Sequence, residues 1–301
     1  MTRCPLSRGK HRRARTALRW NQTATICKLD SMILDGKHQI IAIGDSLTAG
    51  WQERVAEDAP FEDPASGRLI ASSYPYMLGQ KLSRKWGGGL ILNLGRSGST
   101  SQDWTPGATW RKKGRRKFPL NGRPLDEILN VTNPFRVCLA LLGSNDVLQS
   151  ILPDRLSRAI GRLVGYEDAA FARTKENLLS SLTRLRDKGI LTLLAKIPPL
   201  YYRGGLAFLG VDRFLFNRPS AQKRLAAYVA MVNQRIEEIW GLHPQVAKPG
   251  PDLFHVLQNA PDLWSEDLLH PNIEGYRRMA EAWLSALQAQ GIVIQEEEPA
   301  S

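Results

Sequence analysis

Four short apolar runs, at residues 39–43, 90–94, 136–142 and 190–197, alternate with longer stretches that repeat at helical spacing. This alternation constrains the fold more than any other feature of the chain. The runs are continuously apolar rather than alternating, which suits strands buried on both faces of a parallel sheet. A fifth, weaker run is Leu253-Phe254-His255-Val256-Leu257. Helical patterns cover about 74–85, 171–188, 220–241 and 273–290. In the third, Leu225, Val229, Val232 and Ile236 recur at helical spacing; the last carries Tyr276, Met279, Ala280, Trp283, Leu284 and Leu287. Strands alternating with helices predict a parallel sheet covered by helices on both faces. Ligand sites in such folds lie beyond the carboxyl ends of the strands. The residues that directly follow each apolar run are therefore the first place to look for chemistry.

The net charge of +12 suggests a nucleic-acid partner until it is mapped. Residues 1–37 hold nine Lys/Arg against two Asp/Glu, and the run Arg111-Lys112-Lys113-Gly114-Arg115-Arg116-Lys117 adds six more basic residues. The rest of the chain has 26 basic and 27 acidic residues and is nearly neutral. Such runs attract phosphate, but no recognised binding motif accompanies them, so no specific nucleic-acid partner is expected. Residues 1–37 lack periodicity and are expected to form a disordered basic extension. An alternative is that translation starts at Met32, which leads almost directly into the first strand. A single domain is expected over 38–292, with an acidic tail at 293–301. No stretch reaches the roughly 20 apolar residues of a membrane span. The basic N-terminus has no apolar run behind it and is not a secretory signal, so a cytoplasmic protein is expected. Cys4, Cys27 and Cys138 are too few and too far apart for a disulfide framework or a metal knuckle. Cys138 lies in an apolar run and is expected in the core.

Gly44-Asp45-Ser46-Leu47-Thr48 directly follows the first run. A hydroxyl there can project from the sheet edge, and the Ser46 N–H can face a developing oxyanion; alternatively Ser46 simply caps the next helix. A seryl nucleophile needs a base within reach, and the base needs an orienting carboxylate. Asp267-Leu268-Leu269-His270 supplies both, because residues three apart in one turn share a side. Standing alone, the pair would be an ordinary capped surface turn. His38, His243 and His255 stand in no comparable constellation, and a metal site is not expected. Two more segments sit at strand ends: Asn93-Leu94-Gly95-Arg96-Ser97-Gly98-Ser99-Thr100 and Gly143-Ser144-Asn145-Asp146. A glycine lets a backbone N–H approach a substrate, and an Asn amide can donate to an oxyanion. Both segments also read as plain turns. Their order along the chain, each just after a strand, is the stronger signal.

Together these four segments resemble the GDSL, or SGNH, hydrolase family, named for block residues that correspond here to Ser46, Gly98, Asn145 and His270. The resemblance spans about residues 38–290. It implies a flavodoxin-like three-layer α/β/α fold with a five-stranded parallel sheet. It also implies Ser46 as nucleophile, His270 as general base and Asp267 as its orienter. The oxyanion hole would comprise the Ser46 N–H, the Gly98 N–H and the Asn145 side chain, with no cofactor or metal. The segment between Gly98 and Asn145 is long, and position 99 is Ser where many members have Asp. No Gly-x-Ser-x-Gly elbow occurs, which argues against the α/β-hydrolase fold.

The expected activity is hydrolysis of small-molecule carboxylic esters, of a lipase, lysophospholipase or small acyl-ester type. Carbohydrate O-deacetylation, acyl transfer on the same fold, and nucleic-acid binding through the basic segments are the alternatives. Tyr201, Tyr202 and Phe208, with Phe214 and Phe216, form an aromatic stretch after the fourth run. It serves either as an apolar wall for an acyl chain or as packing for a long loop. Trp51, Trp104 and Trp110 are open to the same two readings.

Overall fold

The computed structural model describes residues 32–34, 39–50, 72–84, 90–108, 125, 135–151, 166–201, 219–265 and 268–294. Strand β1 covers Met32–Leu34 and β2 covers Ile40–Gly44. Helix α1 is Ser46–Ala49, α2 is Tyr74–Leu82, and strand β3 is Ile91–Asn93. Strand β4 covers Val137–Leu141, followed by α3 at Ser144–Ile151 and α4 at Tyr166–Asp187. Then come β5 at Leu191–Lys196, α5 at Pro219–Leu242, β6 at Lys248–Asp252 and α6 at Leu253–Leu257. Helix α7 at Ile273–Ala289 and β7 at Ile292–Ile294 complete the described fold.

The central sheet is five-stranded and all parallel, in the order β3-β2-β4-β5-β6. Every residue of β2 and β4 is buried. That is why these runs are apolar on both faces: a side chain such as Ile41 or Leu139 has no solvent side to turn to. Burying each contributes roughly 2–3 kcal/mol. Cys138 lies in this layer, free and fully buried, as expected. Helices α2 and α7 pack together, with Tyr74 stacked on Trp283 at 5.9 Å. Helices α3, α4 and α5 form the other packed group. The result is the three-layer α/β/α arrangement. Among the described residues no helix is long and apolar enough to cross a membrane.

Two boundaries differ from the sequence reading. Strand β1 pairs in parallel with β7, and the Met32 N–H donates to the Gly291 carbonyl. Residues 32–34 and 293–294, read as extension and tail, are thus strand. The run Leu253–Leu257 is helical, and the fifth strand is the preceding Lys248-Pro249-Gly250-Pro251-Asp252. Two prolines hide that strand from sequence patterning, yet an edge strand tolerates them because one side of it needs no N–H donors. Gly250 is required there: a Cβ would stand 2.7 Å from the Leu194 backbone. Asp252 then turns the chain into α6 by accepting the His255 N–H.

Candidate active site

Strand β2 delivers Ser46 to the carboxyl edge of the sheet. Gly44 is needed for the turn, since a Cβ there would meet Thr48 Oγ1 and the Leu141 carbonyl. Asp45 caps α1, its Oδ1 accepting the Leu47 N–H at 2.9 Å. The helix lasts one turn and ends at Gly50, whose φ of 84° is left-handed and whose N–H donates to the Ser46 carbonyl. Asp45, Leu47 and Thr48 are buried; Ser46 alone in this turn keeps partial exposure. The fold therefore points one hydroxyl outward and pulls its neighbours in.

His270 Nε2 lies 2.9 Å from Ser46 Oγ. With the imidazole proton on Nδ1, Nε2 accepts the seryl hydroxyl, as a general base must. The loop carrying His270 is closed on itself. The Ser265 N–H donates to the His270 carbonyl at 2.8 Å, and the Ser265 hydroxyl donates to the Pro271 carbonyl. Trp264 and Pro271 form an isolated antiparallel bridge. Asn272 caps α7 through the Gly275 N–H, and a Cβ on Gly275 would stand 2.3 Å from the Leu263 carbonyl. Leu268 is held at φ 52°, an uncommon conformation for a branched side chain, and its N–H donates to the Ser265 carbonyl. Asp267, expected to orient His270, lies outside the described residues.

The loop after β3 is bound directly to the nucleophile turn. The Gly44 carbonyl accepts both the Arg96 N–H at 2.9 Å and the Ser99 hydroxyl at 3.1 Å. Asn93 Nδ2 donates to the Thr48 carbonyl, and a Cβ on Gly95 would stand 2.4 Å from Ala49 N. Gly98 crowns this loop, exposed and at φ 81°. Nothing lies within 4 Å of where its Cβ would be, so conformation rather than space calls for glycine. Asn145, in the first turn of α3, donates its side-chain N–H to the Ser99 carbonyl at 2.9 Å. The structure thus links Gly98, Asn145, Ser46 and His270 through adjoining loops at one sheet edge.

Ser99, the departure from the usual Asp, is fully buried. Its Oγ bridges the Gly44 carbonyl and the Trp104 indole N–H. Trp104 is likewise buried, with the Arg96 guanidinium 5.9 Å from its ring centre. It packs the loop instead of walling a substrate. Tyr201 is half-buried and set edge-on against Trp264. Its N–H donates to the Leu268 carbonyl, and its hydroxyl accepts the Asn259 N–H. Tyr202, Phe208, Phe214, Phe216, Trp51 and Trp110 lie outside the described residues, as does the basic run 111–117.

The sequence reading missed two buried carboxylates beside the site. Burial pushes the Asp45 carboxyl up to about 7, against the pull of the Leu47 N–H and with a further push from the Asp146 charge. Asp146 is also raised by burial, against the pull of the Ser101 and Thr174 donors. Both could have been found from position, since each adjoins a block residue. The reading of His255 needs correction. Asp252 stands at the same three-residue spacing as Asp267 from His270, and Asp252 Oδ2 is 2.7 Å from His255 Nδ1. Asp252 also receives Lys196 Nζ at 2.9 Å. Burial pushes its carboxyl up, but Lys196 and His255 together hold it below the ordinary range. This second pair closes the first turn of α6, and the His255 side chain is 67% exposed with no described nucleophile in contact.

A model of the GDSL-like lipase/acylhydrolase family matches residues 42–278. No curated protein matches the sequence. Among solved structures, a member of the lipolytic protein G-D-S-L family from Veillonella parvula superposes with a TM-score of 0.50 at 17% identity, over 83% of this chain and 97% of that one. The psychrotrophic esterase EstA from a Pseudoalteromonas species gives 0.48 at 17% identity, over 83% and 96%. An acetylxylan esterase from Geobacillus stearothermophilus gives 0.47 at 16% identity, over 86% and 97%. At such identities the Veillonella likeness speaks for a shared fold.

Proposed function

Because this chain belongs to the GDSL-like lipase/acylhydrolase family, we propose that it is a serine esterase that hydrolyses carboxylic esters through a Ser46 acyl-enzyme. The observation that carries this reading is the 2.9 Å contact between Ser46 Oγ and His270 Nε2. Ser46 Oγ attacks the ester carbonyl carbon as His270 takes its proton. The tetrahedral oxyanion collapses, the C–O bond to the alcohol breaks, and His270 returns the proton to the leaving alkoxide. Water, deprotonated by His270, then attacks the acyl-enzyme and releases the acid and the free Ser46. Asp267 is the group assigned to hold the imidazole.

The oxyanion donors in this reading are the Ser46 N–H, the Gly98 N–H and the Asn145 amide. Three features support them: the partial exposure of Ser46, the left-handed Gly98, and an Asn145 amide whose plane is set by the Ser99 carbonyl. Each preorganised donor is worth roughly 3 kcal/mol of barrier. The test is turnover of p-nitrophenyl acetate by wild type and Ser46→Ala. The variant should lose turnover entirely, and full retained activity would overturn the assignment. A graded panel of acyl chains, with lysophospholipid and acetylated sugars, then ranks the ester classes by kcat/KM.

A further inference from the structure

We propose that Asp146 is a positioning residue that holds the two loops of the oxyanion hole in register, an inference that rests on the esterase reading above. Its backbone directly follows Asn145 in α3, while its side chain grips the loop that follows Gly98. Oδ2 accepts the Ser101 N–H at 2.9 Å. Oδ1 accepts the Ser101 hydroxyl at 2.5 Å and the Thr174 hydroxyl at 3.0 Å. The Ser101 hydroxyl oxygen also accepts Asn177 Nδ2 at 3.1 Å, which leaves its one proton for Asp146. One residue before Asp146 and two before Ser101, Asn145 Nδ2 donates to the Ser99 carbonyl. Adjacent residues 145 and 146 therefore clasp residues 99 and 101 at three points. The clasp spans the strand ends of β3 and β4, on either side of the strand that carries Ser46.

Helix α4 anchors the far side of the clasp. Thr174 and Asn177 belong to it, and one turn further on the Ser181 hydroxyl shares its one proton between the Trp104 carbonyl at 2.9 Å and the Asn177 carbonyl at 2.8 Å. The Gly98 loop is thus tied to a long helix as well as to Asn145. A negative charge close to a developing oxyanion opposes it electrostatically. The benefit of Asp146 must therefore come from geometry, through acceptors that hold Ser101 and, with it, the Gly98 N–H. Both carboxylate oxygens meet donors, and these hydrogen bonds offset part of the burial that raises the Asp146 carboxyl.

Asn in this place keeps one acceptor for the Ser101 N–H and offers an amide N–H to the hydroxyls, whereas Ala leaves those donors unmet. The experiment compares wild type, Ser46→Ala, Asp146→Asn and Asp146→Ala, reading kcat and KM on p-nitrophenyl acetate and the rate of Ser46 phosphonylation by a p-nitrophenyl phosphonate. Asp146→Ala should lower kcat and the phosphonylation rate by about 100-fold, the scale of one lost oxyanion donor, with KM within about threefold. Asp146→Asn should recover at least about tenfold of that loss. A merely structural role would lower the active fraction and leave the turnover of each phosphonate-titrated site unchanged. An unchanged per-site kcat in Asp146→Ala, or no recovery in Asp146→Asn, overturns the proposal. If wild type turns over no ester of the panel, the esterase reading falls and this role falls with it. If wild type is active and Asp146→Ala equals it, only the role of Asp146 is refuted.

Discussion

Asn145 Nδ2 donates to the carbonyl oxygen of Ser99 at 2.9 Å, joining the loops that follow β3 and β4. An amide has two N–H groups in one plane. Spending one on Ser99 fixes where the other points, which is the preorganisation an oxyanion donor requires. Replacing Asn145 with Ala removes both the donor and its tie to Ser99. We expect kcat on p-nitrophenyl acetate to fall by about 100- to 1,000-fold. Asp in its place, nearly the same size but without N–H groups, should do no better. Activity of Asn145→Asp near the wild-type value would remove Asn145 from the oxyanion hole.

Gly98 calls for a different substitution, because the space around it is open. Its φ is 81°, and nothing lies within 4 Å of a built Cβ. Gly98→Ala therefore meets no clash, only the ~1–2 kcal/mol that an L side chain incurs in a left-handed conformation. The loop can relieve that strain by rotating Gly98, which swings its N–H away from the reacting carbonyl. The expected outcome is a kcat loss of at least tenfold from a protein whose thermal midpoint drops by only a few degrees. Steady-state kinetics beside a thermal melt checks both halves. A melt shift with undiminished kcat would mean that this N–H is not an oxyanion donor.

The buried strand runs, and with them the places to look for candidate site residues, were legible in the sequence for one physical reason. A strand buried on both faces must be apolar throughout, so β2, β4 and β5 announced themselves, and the residues after them followed by position. Strand β6 did not. It lies at the sheet edge and is built from Lys248-Pro249-Gly250-Pro251-Asp252, with no apolar run to detect. Its partner is chosen by close backbone approach at Gly250 and by the Lys196–Asp252 ion pair, both tertiary contacts. The clasp around Asp146 was invisible for the same reason. Ser101, Asp146 and the Thr174/Asn177 turn of α4 are far apart in the chain, and each alone reads as an ordinary polar position. The Asp252–His255 pair was missed because residues 253–257 read as a strand, where residues three apart face opposite sides, whereas they form a helical turn capped by Asp252.

Asp45 makes a prediction about stability and pH. Its carboxyl is fully buried, one oxygen accepts the Leu47 N–H, and the nearby Ser144 hydroxyl offsets only a little of the burial. Burial raises its pKa from 3.8 to about 7. A folded-state pKa above the unfolded value means that the native state holds a proton the unfolded chain has released. Asp45 therefore contributes most favourably below about 3.8, and that contribution is lost as pH rises toward about 7. The loss across that window is on the order of 4 kcal/mol. Asn keeps the acceptor for Leu47, is an equally good helix cap, and never ionises. Asp45→Asn should match wild type to within about 1 kcal/mol near pH 4.5 and gain on it steadily up to pH 7–8. Groups remote from Asp45 are common to both proteins and cancel in the difference, while Asp146, whose charge raises Asp45, is coupled to it and adds to the same pH-dependent gap. Urea unfolding of the two at a series of pH values reads that difference directly, and a gap that stays flat across the window would show that Asp45 titrates at its ordinary value.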